Sequence, residues 1–229
     1  MTRVATFLVS VIIIVQLTLL GSTILGGGAA EVFELNTPVN PPDDLAFPLD
    51  FEGFDPYAQS IALEWQSDAK LVRASMQIDW PAQVPAEQVG QLPRGGWLVL
   101  SYLSGIELLT MRADRGSGGI VEYAILPISP AEAESLRANP IDFSQATTRS
   151  GTVAIAAETA YGATFRAACP DNRPQSVVTP VRSAQSGAMV WNIEYLNRLE
   201  GQPSNSMSLD VDWNTGEMMN VENQSEPCG

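Results

Sequence analysis

Near the C-terminus, Asp210-Val211-Asp212-Trp213-Asn214-Thr215-Gly216 spaces Asp210, Asp212 and Asn214 as alternate oxygen ligands, the start of a calcium loop. The pattern then fails. Its glycine stands seventh instead of sixth, the twelfth position is Val221, and an alternating strand rather than a helix leads into it. The simpler reading is a tight turn in which Asp212 bonds amides and Gly216 takes the left-handed position. Asp114-Arg115-Gly116-Ser117-Gly118 repeats the turn, while Arg112 and Ala113 stand where further ligands would be. No metal or other cofactor is therefore expected.

The remaining chemistry is equally thin. Ser67-Asp68-Ala69-Lys70 matches the S-x-x-K string of penicillin-recognising enzymes, but Lys70 is the only lysine, so the K-T-G partner cannot exist. The chain has no histidine, which removes Ser-His-Asp and Cys-His catalysis and His-bearing zinc sites. The carboxylate pairs Asp43/Asp44 and Glu132/Glu134 fall in proline-rich connections, where a dry, shaped pocket is not expected. No nucleophile–base set is visible, and the expectation is that the protein is not an enzyme.

Residues 1–30 set the compartment. Phe7 to Leu25 is uncharged and dense in Leu, Ile and Val, behind Arg3 and the free amine. It is a signal peptide, cleaved near Ala30, or a signal anchor, and its length favours the anchor. Either way the positive-inside asymmetry places the rest outside the cytoplasm. In an oxidising compartment Cys169 and Cys228 are expected to form one disulfide, closing a loop worth about 3–4 kcal/mol in the chain-entropy account. A redox or metal role lacks both C-x-x-C spacing and histidine.

Residues 31–229 hold 11 basic against 26 acidic side chains, a net charge of −15. Such a surface repels phosphate backbones and anionic lipid headgroups, which argues against nucleic-acid binding and against peripheral docking on acidic membranes. Cationic partners remain open.

Positioning elements follow from periodicity. Residues 31–54, rich in proline and acid, read as an extended tether. Asp55-Pro56 reads as a helix start, with Ala58, Ile61, Ala62, Trp65 and Ala69 on one face. From Lys70 to Trp80 the period becomes two, and further strands are expected at 97–103, 106–113 and 120–126. A first unit thus spans 55–128. A linker, 129–146, carries a short helical turn at 131–138. The second unit, 147–229, opens with a helix capped by Ser150, weakened by Gly162 and stopped by Pro170. Strands follow near 176–182, 188–196, 207–213 and 217–221, the first demoted to an edge or broken strand by Pro180.

The two units share a pattern. Gly96-Trp97-Leu98-Val99-Leu100-Ser101-Tyr102 followed by the Asp114 turn is repeated as Met189-Val190-Trp191-Asn192-Ile193-Glu194-Tyr195 followed by the Asp212 turn. Trp97 and Trp191 read as core residues of equivalent strands, 94 residues apart against 98 for the two aspartates. The fold expected is α+β: two tandem helix-plus-antiparallel-sheet units behind an N-terminal hydrophobic helix.

Trp191-x-Ile193-x-Tyr195, a polar hairpin and Leu209-x-Val211-Asp212-x-x-Thr215-Gly216-Glu217, behind an Ala-rich helix, resembles PepSY and PepSY-like domains. That resemblance implies a cystatin-like helix-on-sheet arrangement in an exported module, with peptidase-regulating or inhibitory roles among its members. It brings no catalytic residues. The function expected is that of a membrane-tethered extracytoplasmic accessory subunit or regulator acting through protein contacts. The alternative is a secreted module binding a peptide or small ligand. Trp213, the 197–206 loop and the 81–95 loop are the expected partner contacts, because there the copies differ.

Overall fold

The computed structural model describes residues 31–33, 41–81, 90–162, 165, 175–184, 186–197 and 205–223. Cys169 and Cys228, residues 1–30, and most of the 81–95 and 197–206 loops lie outside them.

Among the described residues nine antiparallel strands form a single sheet: β1 (Glu31–Phe33), β2 (Lys70–Asp79), β3 (Gly96–Ser104), β4 (Glu107–Asp114), β5 (Ile120–Pro127), β6 (Gln175–Arg182), β7 (Met189–Asn197), β8 (Asn205–Asp212) and β9 (Met218–Asn223). Their order is β1-β5-β4-β3-β2-β6-β7-β8-β9. The class is α+β, as the alternation implied. Each half is a helix followed by four antiparallel strands, and the halves meet through their first strands, β2 and β6.

That seam is short. Met76 to Asp79 pairs with Val178 to Gln175 and stops there. Pro180, which has no N–H to give, lies two residues past the last pair, and β2 carries a register shift between Leu71 and Arg73 on the same stretch. Pro180 therefore leaves β6 in the middle of the sheet but ends its pairing with β2. Trp80 closes the seam, donating from Nε1 to the Ser176 hydroxyl at 2.7 Å in a buried position.

Helix α1 (Phe51–Trp65) and helix α3 (Ser150–Ala157), extended by a π-helical turn at Glu158–Gly162, cover the inner face. Against them pack Met76, Ile78, Leu98, Leu100, Tyr102, Met111, Val178, Trp191, Ile193, Tyr195, Leu209 and Val211, in one core running across both halves. Helix α2 (Pro130–Arg137), capped by Ser129, lies on the outer face, where Ala133 meets Val72, Leu103 and Leu108. Arg73 holds it there by an ion pair to Glu132 at 2.7 Å.

Several expectations change. The supposed tether is largely part of the fold: Glu31 to Phe33 pairs with Ile125 to Tyr123, and Leu49, Phe51 and Phe54 are completely buried. Helix α1 starts at Phe51, not after Asp55, because Asp50 caps it by accepting from Gly53 N at 2.9 Å and the two phenylalanines need that first turn to reach the core. Pro56 then sits inside the helix. The linker likewise contributes Phe143 to the core.

Trp97 and Trp191 are not equivalent. Trp97 pairs with Asp114, whereas the residue opposite Asp212 is Val190, so the strands align Leu98 with Trp191 and Tyr102 with Tyr195. A one-residue offset in a strand reverses the face. Trp191 is fully buried inside, while Trp97 stands half-buried on the outer face with the Arg112 guanidinium 4.1 Å from its ring centre.

Candidate functional site

The repeated turn is built by side-chain-to-amide bonds in both halves. Asp212 Oδ1 accepts from Asn214 N at 2.9 Å and Thr215 N at 2.7 Å, and Asp114 Oδ1 accepts from Gly116 N at 3.1 Å and Ser117 N at 2.8 Å. Gly118 and Gly216 close the turns at φ 71° and 75°, a region that side chains disfavour. The bonds from Thr215 and Asn214 hold the Asp212 carboxyl below its usual range. Asp210 points to other partners, accepting from Asn192 Nδ2 at 2.9 Å and Asn220 Nδ2 at 3.0 Å. Asp210, Asp212 and Asn214 do not converge, and among the described residues no acidic or sulfur cluster could hold a metal ion.

Trp213 is a core residue. It is 3% exposed and stacks on Trp191 with ring centres 4.2 Å apart. Phe143 lies 5.9 Å from Trp191 and Phe51 5.1 Å from Phe143, extending the stack from the second half into the first. Its indole is not available to a partner. Sequence position at a turn suggested exposure; the chain entering α3 covers it, with Thr148 N and Oγ1 both donating to Trp213 O, at 3.3 and 2.9 Å.

The equivalent position in the first half holds Arg115, also fully buried. Leu49 N donates to Arg115 O at 3.0 Å, and Arg115 Nε returns a bond to Leu49 O at 3.0 Å. Arg115 Nη1 reaches Gly95 O at 2.9 Å, while Nη2 meets no protein acceptor. Burial lowers this guanidinium's pKa to about 10, against the pull of Asp50, Asp79 and Asp114. A charged residue directly after a turn aspartate gave no sequence signal of burial.

The densest polar constellation is the meeting of the two helix N-termini. Asp50 precedes α1 and Arg149 precedes α3, and Arg149 Nη2 reaches both Asp50 oxygens at 2.9 Å. Ser150 Oγ accepts from Phe51 N at 3.2 Å and donates to Glu52 Oε2 at 2.7 Å, while Ser150 N donates to Glu52 Oε1 at 2.7 Å. Ser150 was expected to cap its own helix; it is instead the first helical residue, and Glu52 of α1 caps it. Burial raises the Glu52 carboxyl above its ordinary value, against the bonds from Ser150. Internal carboxylates thus occupy both helix N-termini, the places where an external anion would otherwise bind. Ser150 is fully buried, so its hydroxyl meets no substrate.

Lys70 of the S-x-x-K string opens β2 and lines a surface hollow of about 160 Å³ with Asp68, Ser104 and Arg137. That volume is below the roughly 300 Å³ at which ligand clefts begin.

No family model matches the chain, so the PepSY resemblance gains no support there, and no curated protein matches it. Among solved structures, a protein of Clostridium difficile 630 assigned provisionally to the lipoproteins is 12% identical, with a TM-score of 0.49, covering 82% of this chain and 100% of that one.

Among the described residues no helix is long and apolar enough to cross a membrane; Phe7 to Leu25 lies outside them.

Proposed function

We propose that this chain is a non-enzymatic, membrane-tethered extracytoplasmic protein that acts through protein contacts, as an accessory subunit or regulator of a membrane-associated complex. The observation that carries the reading is how the sheet is used. Its inner face is sealed by α1 and α3, and the aromatic residues that could have floored a ligand site are stacked into the shared core. Among the described residues the outer face of β6 to β9 has no helix over it and presents Thr179, Asn192, Glu194, Ser208 and Asp210, all half-buried, interleaved with the half-buried Val177, Val181 and Leu196. A sheet face on which acidic and polar side chains alternate with aliphatic ones suits a complementary protein surface better than a small molecule. The helix-then-sheet order of each half is also what the PepSY resemblance implied.

A ligand-binding module would instead need a pocket lined by aromatics, which the shallow hollow at Lys70 does not offer. The test is mild solubilisation of the native protein, crosslinking and mass spectrometry of what copurifies. A partner whose crosslinks map to β6–β9 and whose recovery drops in Glu194→Lys is the expected result. A monomer crosslinked to nothing overturns the reading, and a mature N-terminus near Glu31 overturns the tether.

A further inference from the structure

The first strand fixes where the N-terminal segment meets the fold. β1 runs antiparallel to β5 with Glu31 opposite Ile125 and Phe33 opposite Tyr123, so the chain before Glu31 leaves past the end of β5 at Pro127. Residues 26–30 are all that separates Glu31 from the apolar run ending at Leu25, a reach of about 20 Å at full extension.

The strand registers place other residues at that same end of the sheet. Pro127 lies opposite Glu107, Glu107 opposite Ser104, and Leu103 opposite Lys70, so the end of β5, the β3–β4 hairpin and the start of β2 form one rim. At the hairpin tip Ile106 is 50% exposed, the highest value among the described large hydrophobic residues. Lys70 lines a hollow with Ser104 and Gly105 of the same hairpin, and Arg137 joins from the end of α2, donating from Nη2 to Gly105 O at 2.6 Å.

In a chain this acidic, the state of its cations is informative. Arg73, Arg112 and Arg149 are in ion pairs, and Arg115 is buried. Lys70, Arg94, Arg137 and Arg182 form no ion pair among the described residues, and of these Lys70 and Arg137 lie at the rim. Three acidic residues share this end of the sheet: Asp68, whose Oδ1 accepts from the Ser104 hydroxyl at 2.5 Å, Glu107 at the foot of the hairpin, and Glu31 at the start of β1.

We propose that this rim rests on the phosphate layer of the bilayer that holds the N-terminal segment, with Ile106 entering the headgroup region and Lys70 and Arg137 pairing with lipid phosphates. The inference rests on the membrane-tethered reading above. A net charge of −15 beyond residue 30 opposes free binding to an anionic surface, but a five-residue connection makes the contact intramolecular, where weak attraction is enough. It also gives the sheet an orientation. β9 becomes the edge farthest from the anchor, and the open face of β6–β9 stands clear for a partner.

The test uses the full chain reconstituted into phosphatidylcholine vesicles, with and without phosphatidylglycerol. Photoreactive p-benzoylphenylalanine replaces either Ile106 or Val121, an exposed valine at the opposite end of β5. The expected result is a lipid adduct from position 106 and little from 121. With phosphatidylglycerol present, Lys70→Gln and Arg137→Gln each lower the yield about fivefold, the factor for roughly 1 kcal/mol per basic residue at an anionic surface. Equal labelling at both positions, or none at 106, in a chain that stays with the vesicles through an alkaline carbonate wash overturns the rim contact and leaves the anchor standing. Undiminished yield in both charge variants overturns the phosphate pairing. A chain released by the wash overturns the anchor, and the rim contact with it.

Discussion

Asp50 and Arg149 hold the same position, one residue before each of the two inner helices, and each is the other's ion-pair partner at 2.9 Å. The next residues repeat the relationship, because Phe51 N donates to Ser150 Oγ. The halves are therefore joined at three places: helix start to helix start, β2 to β6, and through the aromatic stack. A sequence duplication places equivalent residues face to face in this way when its copies pack about a local two-fold axis.

Asp50→Ala removes both the bond to Arg149 and the cap on Gly53, and should cost about 1–2 kcal/mol in denaturant unfolding. Arg149→Ala removes only the partly exposed ion pair and should cost under about 1 kcal/mol. The reverse order would show that Asp50 is held for a reason other than capping.

Ser150→Ala leaves Phe51 N and Glu52 Oε2 without their partner in a buried setting, a loss of about 1–3 kcal/mol. Ser150→Thr, which keeps the hydroxyl, should recover part of it. If Ser150→Ala unfolds at the wild-type denaturant midpoint, the junction does not contribute as described.

Burial raises the pKa of both Glu52 and Asp55, the latter despite the Tyr102 hydroxyl donating to it at 2.7 Å. A raised folded-state pKa means the folded state binds the proton more tightly. Their contribution is fully present below the unfolded values and is lost as pH rises through the folded ones. Asp142 and Asp212, lowered by turn hydrogen bonds, act oppositely: their contribution is lost as pH falls through their folded values. Lowering the pH from neutral toward the ordinary carboxylate values, 4.5 for Glu52 and 3.8 for Asp55, should thus favour folding at both. Asp55→Asn should show a smaller gain than wild type in midpoints measured across that range; an equal gain would refute the assignment.

Gly162 stands against Glu158, with both carboxylate oxygens where a side chain on residue 162 would begin. Gly162→Ala should destabilise by about 2 kcal/mol or more, as overpacking does, and Glu158→Ala combined with it should restore much of the loss. Additive losses in the double mutant would show that the glycine answers to backbone conformation, not to Glu158.

Trp191→Ala should cost about 3–5 kcal/mol by opening the stack with Trp213, whereas Trp97→Ala on the outer face should cost about 1 kcal/mol, the scale of its contact with Arg112. Thermal unfolding of the two variants side by side decides whether the second tryptophan of the repeat or the first is structural.

The amino-acid sequence by itself determined the strands, the turns and their antiparallel class. Alternation from Lys70 to Trp80 and the Asp-to-Gly turns at 114–118 and 212–216 are local signals, and local geometry satisfies them. The calcium-loop pattern could be set aside for the same reason, since the turn survives in both copies while the spare ligands do not. Only the tertiary structure decided which face each tryptophan takes, because a one-residue slip in a strand is invisible in composition but reverses burial. The same holds for the start of α1, where Phe51 and Phe54 gain more from the core than Pro56 costs inside a helix, and for Arg115 and Trp213, whose covers come from segments 66 and 65 residues away. The rim of Lys70, Ile106 and Arg137 was equally out of reach, since strand register alone brings those residues to one end of the sheet.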